Sequence, residues 1–444
     1  MEQPDSLKRT LTPVLLWGLG VGYVIGGMYF GWNLGLKEGG TLGMAVATFF
    51  IIIMYVCFSF SYSELACAIP KAGGAFDYAE RAMGKNMGFI AGIAQIIEFV
   101  FAPPAVAISL GAYINLIVPG LSALNAALIL YIIFTIINIL GVKTAAIFEL
   151  VITIFAVSQL LLFAGITLPH FKTENLIENN LPNGWSGAFA SIPFAIWFFL
   201  AIEGVANMAE ETVNPQRDIL KGFGSAIITL VILCIITFIA SVGLTGWQGV
   251  VYNANGETSD SPLMLAMSSL STPGSMLFKL FAVAGFIGLL ASFHGIMIAS
   301  ARATFEFGRV GNAPKILGKI NHKFKTPSNA LIANSIIGMI ALLTGRMAEI
   351  IVISVFGALT LYIVSMIAVI ELRRKEPAMN RPFKVPFYPL LPALALIIAI
   401  ISTVAMIVYN TQLAIIYFGF LIIAFIIFKM VKNNKRNIMN HAFE

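Results

Sequence analysis

Four glutamates and one histidine stand inside long apolar stretches of this sequence, where a charge is unfavourable. They are Glu64, Glu98, Glu149, Glu203 and His294. An ionisable side chain within a membrane span is costly, and by default it indicates an ion path or a ligand site. Carboxylates can hold a cation or carry a proton, and an imidazole can relay one. These residues therefore predict the binding and movement of small charged species.

Two of the glutamates lie next to residues that disturb a helix. Glu203 is followed by Gly204 in the middle of an apolar stretch, which makes it the strongest candidate for coupling or gating. Glu98 precedes the Pro103-Pro104 pair by about one helical turn. It is the next candidate for a site residue.

The other three groups have structural alternatives. Glu64 ends an apolar stretch, and we expect it to bond backbone groups or Lys71 while contributing to a gate. Glu149 is near the start of its stretch and could pair with Lys143 or a helix end. His294 could be a hydrogen-bonded core residue or a proton relay.

The elements that must hold these groups are membrane spans. Hydrophobic residues make up 59% of the chain and charged residues 11%, with a mean hydropathy of +0.90. A soluble domain has about 25% charged residues, and a spanning helix needs roughly 20 apolar residues. The sequence predicts an all-α polytopic membrane protein with about twelve transmembrane helices. They lie at 13–36, 42–66, 87–118, 121–140, 145–168, 188–209, 222–246, 275–300, 328–345, 348–371, 389–409 and 411–430.

The first and sixth spans contain residues that interrupt helices. Seven glycines occur from Gly18 to Gly35, including the Gly26-Gly27 pair, and the sixth span contains Pro193 and Glu203-Gly204. Small residues can simply allow helices to pack closely. In secondary transporters, however, broken helices expose backbone groups to a solute at mid-membrane. We therefore expect breaks at Gly26-Gly27 and Glu203-Gly204.

The two interrupted spans are five apart, and a repeat of five helices returns with inverted topology because five is odd. We expect a 5+5 inverted repeat with broken helices 1 and 6. The chain is expected to begin with a cytoplasmic N-terminus at 1–12, followed by a ten-helix core at 13–371 with repeats at about 13–168 and 188–371. Two further helices at 389–430 and a cytoplasmic tail at 431–444 are expected to follow.

The basic residues predict the orientation in the membrane. All but four of the 27 lysines and arginines lie in the termini and loops on one side of the predicted spans. The exceptions are Lys37, Lys172, Lys279 and Arg346. By the positive-inside rule both termini are cytoplasmic, in a bacterial-type plasma membrane. The net charge of +6 therefore requires no nucleic-acid partner.

Other classes find little support in the sequence. The four histidines are scattered, and neither a His-Glu-x-x-His nor a Gly-x-Ser-x-Gly segment occurs, so we expect no enzyme and no metal site. A channel would need a selectivity filter. A transporter-like sensor is a further alternative, but it would be expected to carry a signalling domain. The three cysteines suggest packing residues rather than a disulfide framework.

Five short segments follow one another in an order that is specific in combination. They are Tyr62–Tyr78, Asn138–Lys143, Glu210–Asp218, Ala301–Phe305 and Arg381–Pro386. Together they resemble the signatures of the amino acid–polyamine–organocation (APC) transporter superfamily. Three others, Gly27–Asn33, Ile97–Ala105 and Leu290–Gly295, resemble its ethanolamine permease branch. The resemblance implies secondary active import of a small primary amine, ethanolamine above all, by alternating access. Amino acid permeases or exchangers of the same superfamily are the alternative.

The resemblance also implies a substrate site between spans 1, 3, 6 and 8. Its expected residues are Val24, Ile25, Gly26, Gly27, Met28, Tyr29, Glu98, Trp197, Leu200 and Phe293. Carbonyl groups released at the breaks and aromatic rings would hold the ammonium group. The expected coupling or gating residues are Glu203, Glu64, Ser292 and His294.

One departure from the superfamily pattern concerns the carboxylate of an amino acid substrate. Related amino acid carriers have glycine, serine and glycine at the first break, where this chain has Gly26, Gly27 and Met28. The serine hydroxyl is absent and a bulky side chain replaces a glycine. A neutral hydroxyl group would tolerate this loss better than a carboxylate, although the amides could still bind an anion.

A second departure concerns the coupling ion. Some proton-linked relatives have a lysine in span 5 where this chain has Ala156. Ser292 offers an oxygen for a sodium ion but does not by itself make a site. Proton symport, sodium symport and exchange therefore stay open. No cofactor is expected apart from such an ion.

Overall fold

The computed structural model describes residues 9–140 and 145–441, with side chains for 9–140 and 146–432. Expectations about residues 1–8, 141–144 and 442–444 lie outside the described residues. These include the end of the Asn138–Lys143 segment and the pairing of Glu149 with Lys143.

The described chain consists of helices joined by short connections. In chain order they are α1 (Pro13–Tyr29), α2 (Trp32–Ala68), α3 (Ala75–Met83), α4 (Lys85–Ile117), α5 (Ala123–Leu140), α6 (Ala145–Thr167), a short 3₁₀ turn (Leu168–His170), α7 (Glu174–Ile177), α8 (Gly184–Ala190), α9 (Ile192–Trp197), a 3₁₀ helix (Ile202–Glu211), α10 (Pro215–Val251), α11 (Pro262–Met267), α12 (Met276–Arg309), α13 (Ser328–Leu343), α14 (Met347–Lys375), α15 (Leu390–Tyr409) and α16 (Thr411–His441).

The prediction of an all-α polytopic membrane protein is confirmed. Within the described residues, ten helical segments are long and apolar enough to cross a membrane, and α1 and α13 are shorter apolar helices. One of the ten runs from 184 to 211 and includes α8, α9 and the 3₁₀ helix. These twelve segments correspond to the twelve predicted spans. The inverted relation between the two halves and the proposed domain limits stay predictions.

The first span is broken, but not at the predicted residues. Helix α1 continues through Gly26-Gly27 and ends at Tyr29. Phe30 is then extended (φ −157°, ψ 156°), and Gly31 has a φ of +94° before α2 begins. Only glycine adopts such a φ readily, so Gly31 is the residue that allows the break. The prediction of a break at Gly26-Gly27 is therefore wrong by about one helical turn.

Gly26 and Gly27 serve close packing instead. A Cβ atom on Gly26 would lie 2.6 Å from Ser292 Oγ, and one on Gly27 would lie 2.5 Å from the carbonyl oxygen of Trp197. Small residues let backbones approach in this way in membrane proteins. A second non-helical residue, Gly40 (φ 63°, ψ −167°), separates the rest of the first span from the second.

The sixth span is also broken, just before the predicted position. Helix α9 ends at Trp197, and the 3₁₀ helix begins at Ile202 after a turn. Ala201 closes this turn with a φ of +74°, which is unusual for a residue with a side chain. Glu203 thus lies in the first turn of the segment that follows the break.

The two broken spans lie in the middle of the helix bundle. Helix α1 packs against α6, α10 and α12, whereas α4 packs against α12 and α14. The 3₁₀ helix contacts α1, α10 and α12. This arrangement brings the breaks, Glu98 of α4 and the inner face of α14 into one region.

Candidate functional site

Two buried carboxyl groups meet beside the break in the sixth span. Glu98 on α4 and Glu203 on the 3₁₀ helix are both fully buried, and the Ala201 amide that bonds Glu98 is only two residues before Glu203. One oxygen of each, Glu98 Oε2 and Glu203 Oε1, has no hydrogen-bond partner. In the described part of the chain, neither carboxyl group forms an ion pair with Lys, Arg or His. Two adjacent buried carboxyl groups cannot both be charged at low cost, so the pair needs a proton or a cation.

The remaining oxygens of the pair are held by groups from neighbouring elements. The Ala201 amide donates to Glu98 Oε1 at 3.2 Å, and the Tyr362 hydroxyl of α14 donates to Glu203 Oε2 at 3.1 Å. The Tyr55 and Tyr362 hydroxyl groups are 3.0 Å apart. The left-handed turn at Ala201 is thus tied to Glu98, which positions the carboxyl groups at the break.

Trp197 joins the two breaks. Its indole Nε1 donates to the Phe30 carbonyl oxygen at 2.8 Å, and its ring lies against Gly31. The side chain is buried. A side chain on Gly31 would overlap the indole, so glycine is required here for contact as well as for conformation. Trp197 ends α9 and Leu200 is in the turn before Ala201, so both lie at the break, and their contact with substrate stays a prediction.

Three of the backbone amides at the breaks already have partners within the protein. The Phe30 amide donates to the Gly26 carbonyl at 3.2 Å, and the Gly31 amide donates to Asn33 Oδ1 at 3.1 Å. In the sixth span, the Ala201 amide bonds Glu98. These three amides are thus unavailable to a ligand, whereas Glu98 Oε2 and Glu203 Oε1 are acceptors without a partner, which suits a ligand with a cationic, hydrogen-donating group.

The span 1 residues predicted from Val24 to Tyr29 are all buried, but they lie within an intact helix. The amides of Gly27 and Met28 are therefore helical rather than exposed at a break. The Tyr29 hydroxyl donates to the Ala156 carbonyl oxygen of α6 at 2.9 Å. The Tyr29 hydroxyl is thus directed towards α6, and contact of its ring with substrate stays a prediction.

Consecutive residues of α12 point to different neighbours. Ser292 Oγ donates to the Tyr23 carbonyl oxygen at 2.8 Å. The Phe293 ring packs edge-on against Tyr131 and Phe134 of α5, with centroid distances of 4.9 and 5.7 Å. Phe293 is therefore part of the α5–α12 packing, and its contact with substrate stays a prediction.

Glu64 forms a network at the cytoplasmic end of α2, as the predicted orientation defines it. It accepts two hydrogen bonds from Arg373, at 2.7 and 2.6 Å, and one from the Val385 amide at 2.7 Å. Arg381 Nε is 3.2 Å from Glu64 Oε1. Bidentate pairing with arginine is among the stronger protein interactions. The expected backbone bond is confirmed, but the partners are arginines rather than Lys71.

Glu149 and His294 form a buried pair away from Glu98 and Glu203. His294 Nδ1 is 2.8 Å from Glu149 Oε2, and the exposed fractions of the two side chains are 3% and 0%. Because Lys143 lies outside the described residues, only the pairing with His294 can be stated. The pair joins α6 to α12 beside α1.

Sequence reasoning missed the residues that organise the central carboxyl groups. Tyr55, Tyr362 and Ser354 were not identified, although Ser354 Oγ donates to the Glu98 carbonyl oxygen at 2.7 Å. Polar residues in the middle of spans 2 and 10 were the available signal. It was weak because a single tyrosine or serine in a span is common enough to need no ligand.

The sequence profile of the amino acid permease family matches residues 13–429. The match covers nearly all of the described bundle, including both broken spans and the carboxyl pair. The chain therefore belongs to the amino acid permease family, within the APC superfamily of transporters. It is a multi-pass membrane transport protein by its family and by its apolar helices.

Similar proteins carry several substrate names. An uncharacterized transporter of Rhizobium meliloti is 29% identical, covering 93% of this chain and 90% of the relative. A branched-chain amino acid permease of Bacillus subtilis is 26% identical over 88% of this chain and 87% of its own. A methylthioribose transporter of the same organism is 28% identical, covering 89% of this chain and 87% of the relative.

Proposed function

We propose that this protein is a secondary active transporter that imports a small primary amine, ethanolamine in particular, by alternating access. The single observation that carries this proposal is the buried Glu98–Glu203 pair next to the break in the sixth span. With one proton on the pair, an ammonium group placed against the two unpartnered oxygens would neutralise the remaining negative charge and satisfy both oxygens. Trp197 would contribute an aromatic face to the same cation.

The pairing of three backbone amides at the breaks favours an amine over an amino acid. A substrate carboxylate would need hydrogen-bond donors or a positive charge, but the Phe30, Gly31 and Ala201 amides already have partners. The amides of Gly27 and Met28 belong to an intact helix. A hydroxyl group makes a smaller demand because it can donate as well as accept.

Glu203 is proposed to sense the substrate for gating. It is in the segment that follows the break, and its partner Tyr362 is on α14. Arrival of an ammonium group would change the charge balance of the pair and so the position of the 3₁₀ helix relative to α14. Through this movement, Glu203 would couple substrate binding to the transport of a proton or a sodium ion.

The second candidate is transport of an amino acid, which the names of the family and of the branched-chain permease favour. Its substrates would share the ammonium group and add a carboxylate. The methylthioribose transporter shows that some similar proteins are named for a substrate that is not an amino acid. Substrate choice must therefore be decided by the site.

We further propose that both termini face the cytoplasm of a bacterial plasma membrane. The Glu64, Arg373 and Arg381 network then lies at the inner end of the bundle. This follows the distribution of basic residues in the sequence.

The experiment compares uptake of labelled ethanolamine and labelled glycine by purified protein in liposomes. These solutes share a primary ammonium group on a two-carbon chain and differ in the hydroxyl or carboxylate end. We expect saturable ethanolamine uptake and at least about tenfold weaker glycine uptake, equivalent to about 1.4 kcal/mol. Glu98→Gln should lose ethanolamine uptake because the charged partner of the ammonium group is gone.

The matched control is Glu349→Gln, which makes the same change at a half-exposed acid that pairs with Arg346. It should transport as the parent does. Uptake of glycine in preference to ethanolamine by the folded parent would instead support the amino acid candidate.

A further inference from the structure

The Glu149–His294 pair is a second buried ionisable site that the substrate proposal does not use. Its polar contact is 2.8 Å long, and both side chains are almost completely buried. The His294 ring also meets Phe134 of α5 and Phe148 of α6 edge-on, at centroid distances of 5.8 and 5.6 Å. Apolar rings thus shield the pair, so that a change in its charge would be costly unless its surroundings moved.

One oxygen of this pair is unsatisfied. Glu149 Oε1 has no hydrogen-bond partner and lies against Gly22 of α1 and Gly295 of α12. A Cβ atom on Gly295 would be 3.0 Å from this oxygen, and one on Gly22 would overlap it. Thr153 is beside the same glycine and donates to the Gly18 carbonyl oxygen at 3.1 Å. The free oxygen is therefore covered by the backbone of α1.

Movement of α1 would expose this oxygen. With α1 in place, a single proton shared by His294 and Glu149 leaves the pair without net charge. If α1 moved away from α6 and α12, water could reach Glu149 Oε1 and accept that proton. Loss of the proton would leave a net negative charge, which would oppose the return of α1 until a proton was regained.

Tyr23 connects this pair to the substrate region. One edge of its ring lies 3.1 Å from the Cβ position of Gly204, next to Glu203. The opposite edge lies 2.5 Å from the Cβ position of Gly295, next to His294. A shift of the 3₁₀ helix would thus press on α12 through one rigid ring.

The other ionisable groups around the pair are few in the described region. Tyr23 of α1 lies beside the pair. Arg302 of α12 and Glu211 of the 3₁₀ helix act electrostatically on its hydroxyl group. Arg302 and Glu211 pair with each other at 2.8 Å. From α5, the group that faces His294 is the ring of Phe134.

We propose that the Glu149–His294 pair is the binding site of the driving proton, and that α1 covers or exposes it. The proposal rests on the proposed transport function and names its coupling ion. The proton moves between the pair and water without any redox change. Glu203 responds to substrate binding, and the Glu149–His294 pair binds the proton. Tyr23 connects the two sites.

The first test needs no substrate. Hydrogen exchange of the α1 amides, corrected for the chemical rate, is measured from pH 5 to pH 9 in sodium-free buffer. Opening of α1 should increase at high pH in the parent because deprotonation leaves an uncompensated charge. Glu149→Gln should abolish this dependence, whereas Glu203→Gln should keep it. Equal pH dependence in the parent and Glu149→Gln would overturn the proposal, even if ethanolamine proves not to be the substrate.

The second test measures coupling in liposomes with the membrane potential clamped to zero. A gradient of one pH unit, acidic outside, is worth about 1.4 kcal/mol and should concentrate substrate about tenfold if one proton is coupled. Glu149→Gln and His294→Gln should bind and exchange ethanolamine but lose this accumulation. Glu203→Gln should also keep exchange and lose accumulation, and Glu349→Gln should behave as the parent. Full accumulation by folded Glu149→Gln would contradict the proposal.

Discussion

At the scale of single residues, the four glutamates in or at the ends of the apolar spans are divided between two buried pairs and a network at one end of the bundle. Glu98 and Glu203 lack basic partners, Glu149 has His294, and Glu64 has two arginines. Among the described residues, the first pair is thus the one without a basic side chain to balance it. This difference is the reason for assigning the ammonium group to Glu98 and Glu203.

Trp197 and Phe293 provide a contrast between two buried aromatic residues. Trp197→Phe removes the hydrogen bond to Phe30, and Trp197→Ala removes the ring as well. We expect Trp197→Ala to weaken ethanolamine binding by about 1 kcal/mol or more through loss of the cation–π contact and of the link between the breaks. Phe293→Leu should leave the affinity unchanged because this ring packs on α5. Calorimetric titration of the folded variants measures both effects.

The opposite order of effects would show that the aromatic wall of the site is on α12. Unchanged affinity in Trp197→Ala would remove this ring from the substrate region. If the alanine variant expresses poorly, Trp197→Phe still tests the contribution of Trp197, because it keeps an aromatic ring in place.

At the scale of elements, the sequence predicted the spans well and the breaks less well. Long apolar runs define spans because a bilayer imposes a minimum length, and this signal is local. The choice among Gly26, Gly27 and Gly31 is not local. It depends on Ser292 and Trp197, which reach α1 only after the chain has folded.

The pairing of side chains was still harder to predict from the sequence. His294 and Glu149 are 145 residues apart, and Arg373 is 309 residues from Glu64. Hydropathy identifies each charged residue in or near a span but not its partner. Glu98 and Glu203, which each have one oxygen without a partner, were therefore predicted as separate candidates. Only the structure shows that they belong to one site.

The short helix α3, which lies outside the membrane spans, offers a pH prediction. Burial raises the pKa of Asp77 from 3.8 to about 6, because the charged form is disfavoured. The folded state thus binds this proton more tightly than the unfolded state, and stability falls as pH rises from about 4 to about 6. Asp77→Asn should raise the melting temperature at pH 7.5, with the difference shrinking towards pH 4.

This prediction is checked by thermal unfolding over a pH series, with Glu349→Gln as the control at an exposed acid. The asparagine oxygen can still accept the bond that the Gly73 amide gives to Asp77 Oδ2, at 3.1 Å. A lower melting temperature for Asp77→Asn at pH 7.5 would mean that the charged form of Asp77 stabilises α3.

At the scale of the whole molecule, the family places this chain among the amino acid permeases, and the site decides what it carries. The two breaks are joined by Trp197 and tied to Glu98 through Ala201. The buried Glu149–His294 pair lies against Gly22 of α1, and Tyr23 of the same helix touches Gly204 next to Glu203. A carrier whose substrate site and ion site both depend on one helix can couple them through movement of that helix.

The most direct test of the central claim is a thermal-shift series on the purified protein with ethanolamine, ethylene glycol, neutral, basic and acidic amino acids, and polyamines. A ligand that binds the native state raises the melting temperature according to its occupancy. Ethanolamine should raise it, ethylene glycol should not because it has no ammonium group, and Glu98→Gln should lose the ethanolamine effect. If only amino acids with a free carboxylate stabilise the parent protein, the assignment of a small primary amine as substrate is wrong.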